Sequence, residues 1–498
     1  MNLMLLLEMA ASGLGTRVAV RSGDQTLTYD ELLDAAGCAA REIRASGATH
    51  VALLDVNSLA LPIALFGAAW AGVPFSPLNY RLTPTEIDAL LERISPAYVV
   101  TDADRAGQLT GREGLTVIER QEFVDSARAG TPPEHDWSMD PEEVAILLFT
   151  SGTTGVPKAA VLRHRHLVSY ILGSVEFGAA AEDAAALVSV PPYHIAGIAA
   201  IASSVYAGRR IVQLESFSPE AWIELARNER VTNAMVVPTM LVRIIDAMER
   251  SGDATLPHLR AISYGGAKMP LPVIETAMEL LPDTDFTNAY GLTETSSTLT
   301  VLTPEDHRIA AASDDPAVRR RLSSLGRALP NVELEIRDED GKVLGPGEPG
   351  EIHVRGEQIS GEYLDQGSRL DPQGWFPTRD GGWLDDDGYL FLEGRIDDII
   401  VRGGENISPG EVEDVLSSHA AVADCAVVGV PDEQWGEAVA AAVVLREGVT
   451  VSESELQNWV KDQLRSSRVP SHIAFRSELP YNETGKLLRR QVRAELSG

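Results

Sequence analysis

Short apolar runs of strand length alternate with amphipathic stretches along most of the chain. Residues 51–56, 98–101, 210–214, 234–238 and 262–264 are short β-rich runs that read as buried strands. Between them, 84–93 and 219–228 read as helices. Thr28 and Glu31 stand at capping-box spacing ahead of Leu32, Leu33, Ala35 and Ala36, which predicts a helix start at that point. Strands alternating with helices predict wound α/β layers.

The texture changes from about 325 to 392. Short strand candidates at 332–337, 351–354 and 389–392 lie among Gly-, Pro- and Asp-rich turns such as Gly345-Pro346-Gly347, which predicts a small β-barrel or sheet. After Arg395 the α/β pattern returns, with strands at 426–430 and 439–445 and a helix over 453–464, apolar at Leu456, Trp459, Val460 and Leu464. The expected organisation is a large N-terminal domain, 1–395, containing the β-rich stretch, followed by a compact α/β tail, 396–498.

With 498 residues, 44% of them hydrophobic, the chain can bury more than one core. Its 42 Lys and Arg against 73 Asp and Glu leave a net charge of −31, which disfavours general nucleic-acid binding. An anionic substrate would have to be met by a few local cations. Cys38 and Cys425 lie in Ala- and Val-rich surroundings and read as small buried residues, neither a disulfide framework nor a metal site. The apolar opening, 1–9, lacks a basic start, contains Glu8 and is too short to span a bilayer. The expectation is a cytoplasmic protein without a transmembrane segment.

Residues 150–158 read Thr-Ser-Gly-Thr-Thr-Gly-Val-Pro-Lys, directly after the apolar run 144–149. Four hydroxyls, two glycines and Lys158 read as a polyphosphate cradle, the alternative being a hydroxyl-rich surface turn: glycines let backbone N–H groups approach an anion, hydroxyls add donors, and the lysine adds a point charge. The phosphate loop of kinases and GTPases needs Lys directly after its second Gly, and here Val156 and Pro157 intervene. Downstream stand Pro192-Tyr193-His194-Ile195-Ala196-Gly197, Tyr264-Gly265-Gly266-Ala267 and Asn288-Ala289-Tyr290-Gly291-Leu292-Thr293-Glu294. Thr378-Arg379-Asp380, Gly394-Arg395-Ile396-Asp397, Arg402-Gly403-Gly404 and Asn482-Glu483-Thr484-Gly485-Lys486 follow. Tyr290 offers a flat face to a purine, Thr293 a hydroxyl to a phosphate oxygen, and Glu294 a hard oxygen to Mg²⁺. A carboxylate such as Asp380 suits a ribose diol.

In order and spacing these motifs resemble those of the adenylate-forming superfamily, which includes acyl-CoA synthetases, nonribosomal peptide adenylation domains and luciferases. The resemblance spans nearly the whole chain. It implies ATP binding by Thr150, Ser151, Gly152, Thr153, Thr154, Gly155, Lys158, Gly265, Gly266, Ala267, Asn288, Ala289, Tyr290, Gly291 and Thr293, with Asp380 and Arg395 on the ribose. Glu294 would hold Mg²⁺, and Lys486 would bridge the carboxylate and the α-phosphate. Tyr193, His194, Val237, Met240, Tyr264, Gly265, Ser296 and Ser297 would line the acyl pocket, with His194 gating the thiol. Arg402, Gly403 and Gly404 would run along CoA, and Asp397 would be the hinge of a mobile tail. Two positions depart from the family pattern: Ala159 and Arg379 each replace a glycine.

The activity these residues imply is ATP-dependent acyl-CoA synthesis from a hydrophobic carboxylic acid by way of acyl-AMP. A His at 194, in the region where amino-acid-activating relatives carry an Asp, speaks against an amino-acid substrate. The nearest alternative is an acyl-AMP ligase that loads a carrier protein. A luciferase-like oxygenase and a non-catalytic nucleotide-binding protein stand further off, and a homodimer is left open.

Overall fold

The computed structural model describes residues 1–150, 157–432, 434–481 and 487–497. Among the described residues, two large sheets form the body of the molecule. The nine-stranded sheet runs Arg327–Ala328, Ser297–Leu302, Asp285–Leu292, Ala261–Gly265, Asn233–Val236, Ala185–Val188, Arg210–Gln213, Val18–Ser22 and Gln25–Thr28 from edge to edge. Its six central strands, from Asp285–Leu292 to Val18–Ser22, are mutually parallel. The eight-stranded sheet is centred on Phe75–Pro77, His50–Leu54 and Ala97–Thr101, with Val144–Thr150 and Lys158–Arg163 pairing antiparallel beside them. Helices cover both sheets, as wound α/β architecture requires.

The local signals act as the sequence predicts. Thr28 accepts from the Glu31 N–H, and the Glu31 carboxylate accepts from the Thr28 N–H, opening helix Tyr29–Ser46. Pro84 and Pro219 begin Pro84–Arg93 and Pro219–Asn228. One boundary moves: the apolar run 234–238 ends as a strand at Val236, because Pro238 has no N–H for a ladder and starts helix Pro238–Ser251 instead. The apolar opening becomes helix Met4–Leu14, with Met4, Leu6, Leu7 and Ala10 buried in the main core. Among the described residues, no helix is long and apolar enough to cross a membrane. Cys38 and Cys425 are buried and free.

The β-rich stretch contains an antiparallel sheet in the order Glu333–Arg337, Gly350–Arg355, Phe376–Leu384, Leu390–Arg395, closed over Leu325, Val332, Ile336 and Ile352. Beyond it, Val422–Asp432, Gly436–Leu445, His472–Arg476, Ile400–Arg402 and Glu405–Ile407 form a further sheet. It has its own core around Ile400, Val412, Val427, Val439 and Leu456. Among the described residues, polar contacts that tie this tail to the body include Lys268–Asp414 at 2.5 Å, Ser408 Oγ to the Glu393 carbonyl at 2.6 Å, and Arg379–Asp397 at 2.6 Å.

Candidate active site

Four adjacent parallel strands, Ala185–Val188, Asn233–Val236, Ala261–Gly265 and Asp285–Leu292, bring their C-terminal ends to one edge of the nine-stranded sheet. Open α/β sheets bind ligands at that edge. Tyr193-His194, Val237, Gly265-Gly266 and residues 290–297 leave these ends. The approach is close enough to dictate glycine. A Cβ on Gly265 would sit 2.0 Å from the Ala289 carbonyl oxygen, and one on Gly291 would sit 1.6 Å from that of Ser297.

Strand Asp285–Leu292 alternates with a period of two, burying Phe286, Asn288 and Tyr290. The Asn288 amide is committed to the Ser324 carbonyl at 3.0 Å. The Tyr290 ring packs in the core with Leu299, Leu325 and Ile336, so a purine could meet only the 8% of the residue that stays exposed. Its hydroxyl donates to Asp380 Oδ2 at 2.7 Å, while Arg395 Nη1 pairs with Asp380 Oδ1 at 3.0 Å and donates to the Thr378 carbonyl at 2.8 Å. Burial, reinforced by the Asp380 charge, raises the Tyr290 pKa well above the usual phenol value and keeps it a donor. Strand pairing builds this cluster, because Asp380 and Arg395 are cross-strand partners.

A second cluster surrounds Glu294, in the tight turn Thr293–Thr295. Its carboxylate accepts the Tyr363 hydroxyl, and its backbone carbonyl accepts the N–H groups of Ser360 at 2.9 Å and Gly361 at 3.2 Å. Lys158 Nζ lies 5.5 Å from the centre of the Tyr363 ring. Tyr363 bridges to Ala160, and the Leu364 N–H donates to the Ala159 carbonyl at 2.9 Å. Ala159 itself is buried in a regular strand opposite Phe149, so its methyl replaces a glycine without backbone strain. Sequence reading missed Tyr363; the signal available was a lone aromatic among the turn-forming polar residues 360–368. It also missed Gln358, which is buried and donates to the carbonyls of Thr295 and Thr298 at 3.1 and 2.7 Å, and so holds the turn carrying Glu294.

His194 caps helix Ile195–Ala207, its ring 4.7 Å from Tyr193, which in turn lies 5.6 Å from Tyr80. Burial, with Arg81 adding a like charge, lowers its pKa to about 4, so the imidazole is neutral near pH 7. Among the described residues neither His194 Nε2 nor the fully buried Ser296 Oγ has a hydrogen-bond partner. Ser296 and Ser297 take φ values of 58° and 115°. Strain of this kind concentrates at functional sites. Two expected lining residues instead belong to the core beneath: Tyr264 is fully buried with its hydroxyl 2.8 Å from His307 Nε2, and Met240 packs with Leu241 and Ile244.

In the tail, Arg402 donates to the Ser467 carbonyl at 2.7 Å and lies 5.6 Å from the Trp435 ring centre. Gly403 and Gly404 have φ of +58° and +85°. Asp397 lies in the short turn Ile396–Asp398, held by Arg379, whose own φ is +64°. That left-handed backbone accounts for the glycine of the family pattern, and a side chain there costs about 1–2 kcal/mol. Thr150 ends strand Val144–Thr150 with its hydroxyl on the Lys158 carbonyl at 3.3 Å. The expected ligands Ser151, Gly152, Thr153, Thr154 and Gly155, and Lys486, expected to be catalytic, lie outside the described residues.

Residues 7–364 match the family described as AMP-binding enzyme, and residues 411–486 match AMP-binding enzyme C-terminal domain. The chain is 32% identical over 501 residues to fatty acid–[acyl-carrier-protein] ligase ScoC of Streptomyces coeruleorubidus, covering 97% of this chain and 94% of that one. It is 32% identical over 482 residues to feruloyl-CoA synthase of Amycolatopsis sp, covering 95% of each. Among solved structures it resembles o-succinylbenzoate CoA synthetase (MenE) from Bacillus subtilis in complex with its acyl-adenylate intermediate. The TM-score is 0.84 at 30% identity over 98% of this chain and 97% of that one. The same enzyme in complex with ATP and magnesium ion matches with a TM-score of 0.83.

Proposed function

The chain belongs to the AMP-binding enzymes of the adenylate-forming superfamily, with acid–thiol ligases among its relatives, and we propose that it joins a hydrophobic monocarboxylic acid to CoA. The carboxylate attacks the α-phosphorus of ATP and expels pyrophosphate; the CoA thiol then attacks the acyl carbon and expels AMP. Adenylation converts a poor electrophile into a good one, dividing one hard step into two.

The array of Lys158, Tyr363 and Glu294, beside the cluster of Tyr290, Asp380 and Arg395, carries this reading. It gathers a cation for polyphosphate, a carboxylate for a metal and a carboxylate for the ribose from five distant parts of the chain. Glu294 presents one carboxylate oriented by a hydroxyl, which fits Mg²⁺, an ion held by one or two carboxylates plus substrate phosphates. Bound there, Mg²⁺ would neutralise phosphate charge. Asp380 would accept from the ribose, Lys158 would hold the terminal phosphates, and Lys486 would stabilise charge building between carboxylate and α-phosphate. In this reading the chain divides after Arg395, Asp397 is the hinge, and the tail presents Lys486 to one half-reaction and Arg402, Gly403 and Gly404 to the other.

A buried, neutral His194 packed beside Tyr193, itself against Tyr80, supports an uncharged acyl group. Two unpaired buried thiols support a reducing, cytoplasmic setting. The test is pyrophosphate release with ATP and Mg²⁺ across a panel of carboxylic acids, followed by mass spectrometry of the product with CoA. Aryl and fatty acids should turn over; preference for amino acids or dicarboxylates would refute the reading. Likeness to a fatty acid–[acyl-carrier-protein] ligase supports a second acceptor, and acyl-AMP accumulating in the presence of free CoA would favour it.

A further inference from the structure

Arg379 combines two features that a surface residue seldom has together. Its backbone is left-handed, at φ +64°, where glycine is at ease and a side chain is strained. Its guanidinium is nevertheless placed, 2.6 Å from Asp397 Oδ1. The strand geometry explains the reach. Asp380 opposes Arg395, so the residue before Asp380 lies diagonally across from one just beyond Arg395. The Arg379 N–H donates to Glu351 Oε1 at 3.0 Å, which holds the kink from the neighbouring strand.

We propose that Arg379 is a positioning residue that latches the tail through Asp397, an inference resting on the reading of Asp397 as the hinge. Strained residues persist where their surroundings over-determine them. A turn about Asp397 large enough to exchange one face of the tail for another parts the two charges. The pair therefore adds weight to the arrangement in which it is closed. Both side chains are about half exposed, at 56% and 48%, so salt screens the attraction. Exposed pairs of this kind shift an equilibrium by about two- to fivefold, enough to tune a motion that must run in both directions and too little to lock it.

The experiment measures the two half-reactions separately, pyrophosphate exchange with carboxylate and ATP, and transfer from preformed acyl-adenylate to CoA, each at low and at high salt. Arg379→Gln keeps the Cβ and its backbone strain while deleting the charge. It should move the two rates in opposite directions, changing their ratio about two- to fivefold at low salt and abolishing the salt dependence of that ratio. Arg379→Lys should restore the parent's ratio, which a merely structural role for the residue would not require. Equal ratios and equal salt dependence in Arg379→Gln and the parent would overturn the latch, as would a parallel fall in both rates. Asp397→Pro separates this failure from failure of the hinge: if proline uncouples the half-reactions while Arg379→Gln changes nothing, the hinge stands and the latch falls.

Discussion

Asp380 is held from two sides, its oxygens meeting the Tyr290 hydroxyl at 2.7 Å and Arg395 at 3.0 Å. A buried carboxylate so arranged is aimed before any substrate arrives. Tyr290→Phe deletes one donor and leaves a buried oxygen short of a partner, at a cost of about 1–3 kcal/mol. ATP affinity should fall up to about tenfold by calorimetry, and Asp380→Ala should weaken it further. An Asp380→Ala protein that binds ATP like the parent would remove the ribose assignment. Lys486→Ala should slow acyl-AMP formation by roughly 10²-fold or more, the scale of one lost charge-stabilising group, while transfer from supplied acyl-AMP to CoA is spared. Normal overall turnover in that variant would contradict its role. Individual candidate residues could be picked out in the sequence because their motifs are contiguous. Tyr363 was not, since its value lies in touching Glu294, 69 positions away. The sequence likewise could not show that Tyr264 and Asn288 spend their polar groups on His307 and Ser324, because partners of buried groups are set by packing.

At the scale of the element, helix His164–Ser174 opens with two buried imidazoles. His164 Nδ1 accepts the Leu3 N–H at 3.2 Å and His166 Nδ1 accepts the Arg163 N–H at 3.1 Å, so each ring must be neutral with its proton on Nε2. Burial lowers their pKa values to about 4 and about 3, and the positive end of the helix opposes charge there as well. The sign follows from the depressed values. Below pH about 6.5 the unfolded chain takes up protons that the folded chain refuses, so stability is full above that pH and is lost as pH falls toward 4, by on the order of 3 kcal/mol for His164. Asn offers an acceptor near the Nδ1 position without titrating. His164→Asn and His166→Asn should therefore flatten the dependence of the thermal midpoint between pH 7 and 4.5; variants as acid-sensitive as the parent would show that other groups dominate. Helices of this kind were readable where caps and periodicity agreed, as at Thr28 and Pro84. The strand run into Pro238 was misread by two residues because apolar character alone cannot separate the end of a strand from the first turn of a buried helix.

For the molecule as a whole, the question is how one pocket is served by two faces of one tail. Lys486 and the pair Gly403-Gly404 belong to the same 396–498 segment and are assigned to different half-reactions. In the arrangement described, Gly403 packs beneath Trp435 and its N–H donates to the Trp435 carbonyl at 2.8 Å, a contact within the tail itself. Among the described residues, polar contacts that join tail to body include Lys268 to Asp414, Ser408 to the Glu393 carbonyl and Arg379 to Asp397. Such contacts could break and re-form without dismantling the core around Ile400 and Val439, which in the proposed motion would travel as a unit. Rotation must then be absorbed by a short segment, and Asp397 lies in the turn between the last strand of the β-rich sheet and the first of the tail. Proline fixes φ near −65° and restricts the residue before it. Asp397→Pro should hold the tail in one orientation, retaining pyrophosphate exchange while acyl-CoA formation is almost lost. A variant that keeps both half-reactions, or loses both together, would mean that the tail serves the two steps from a single position.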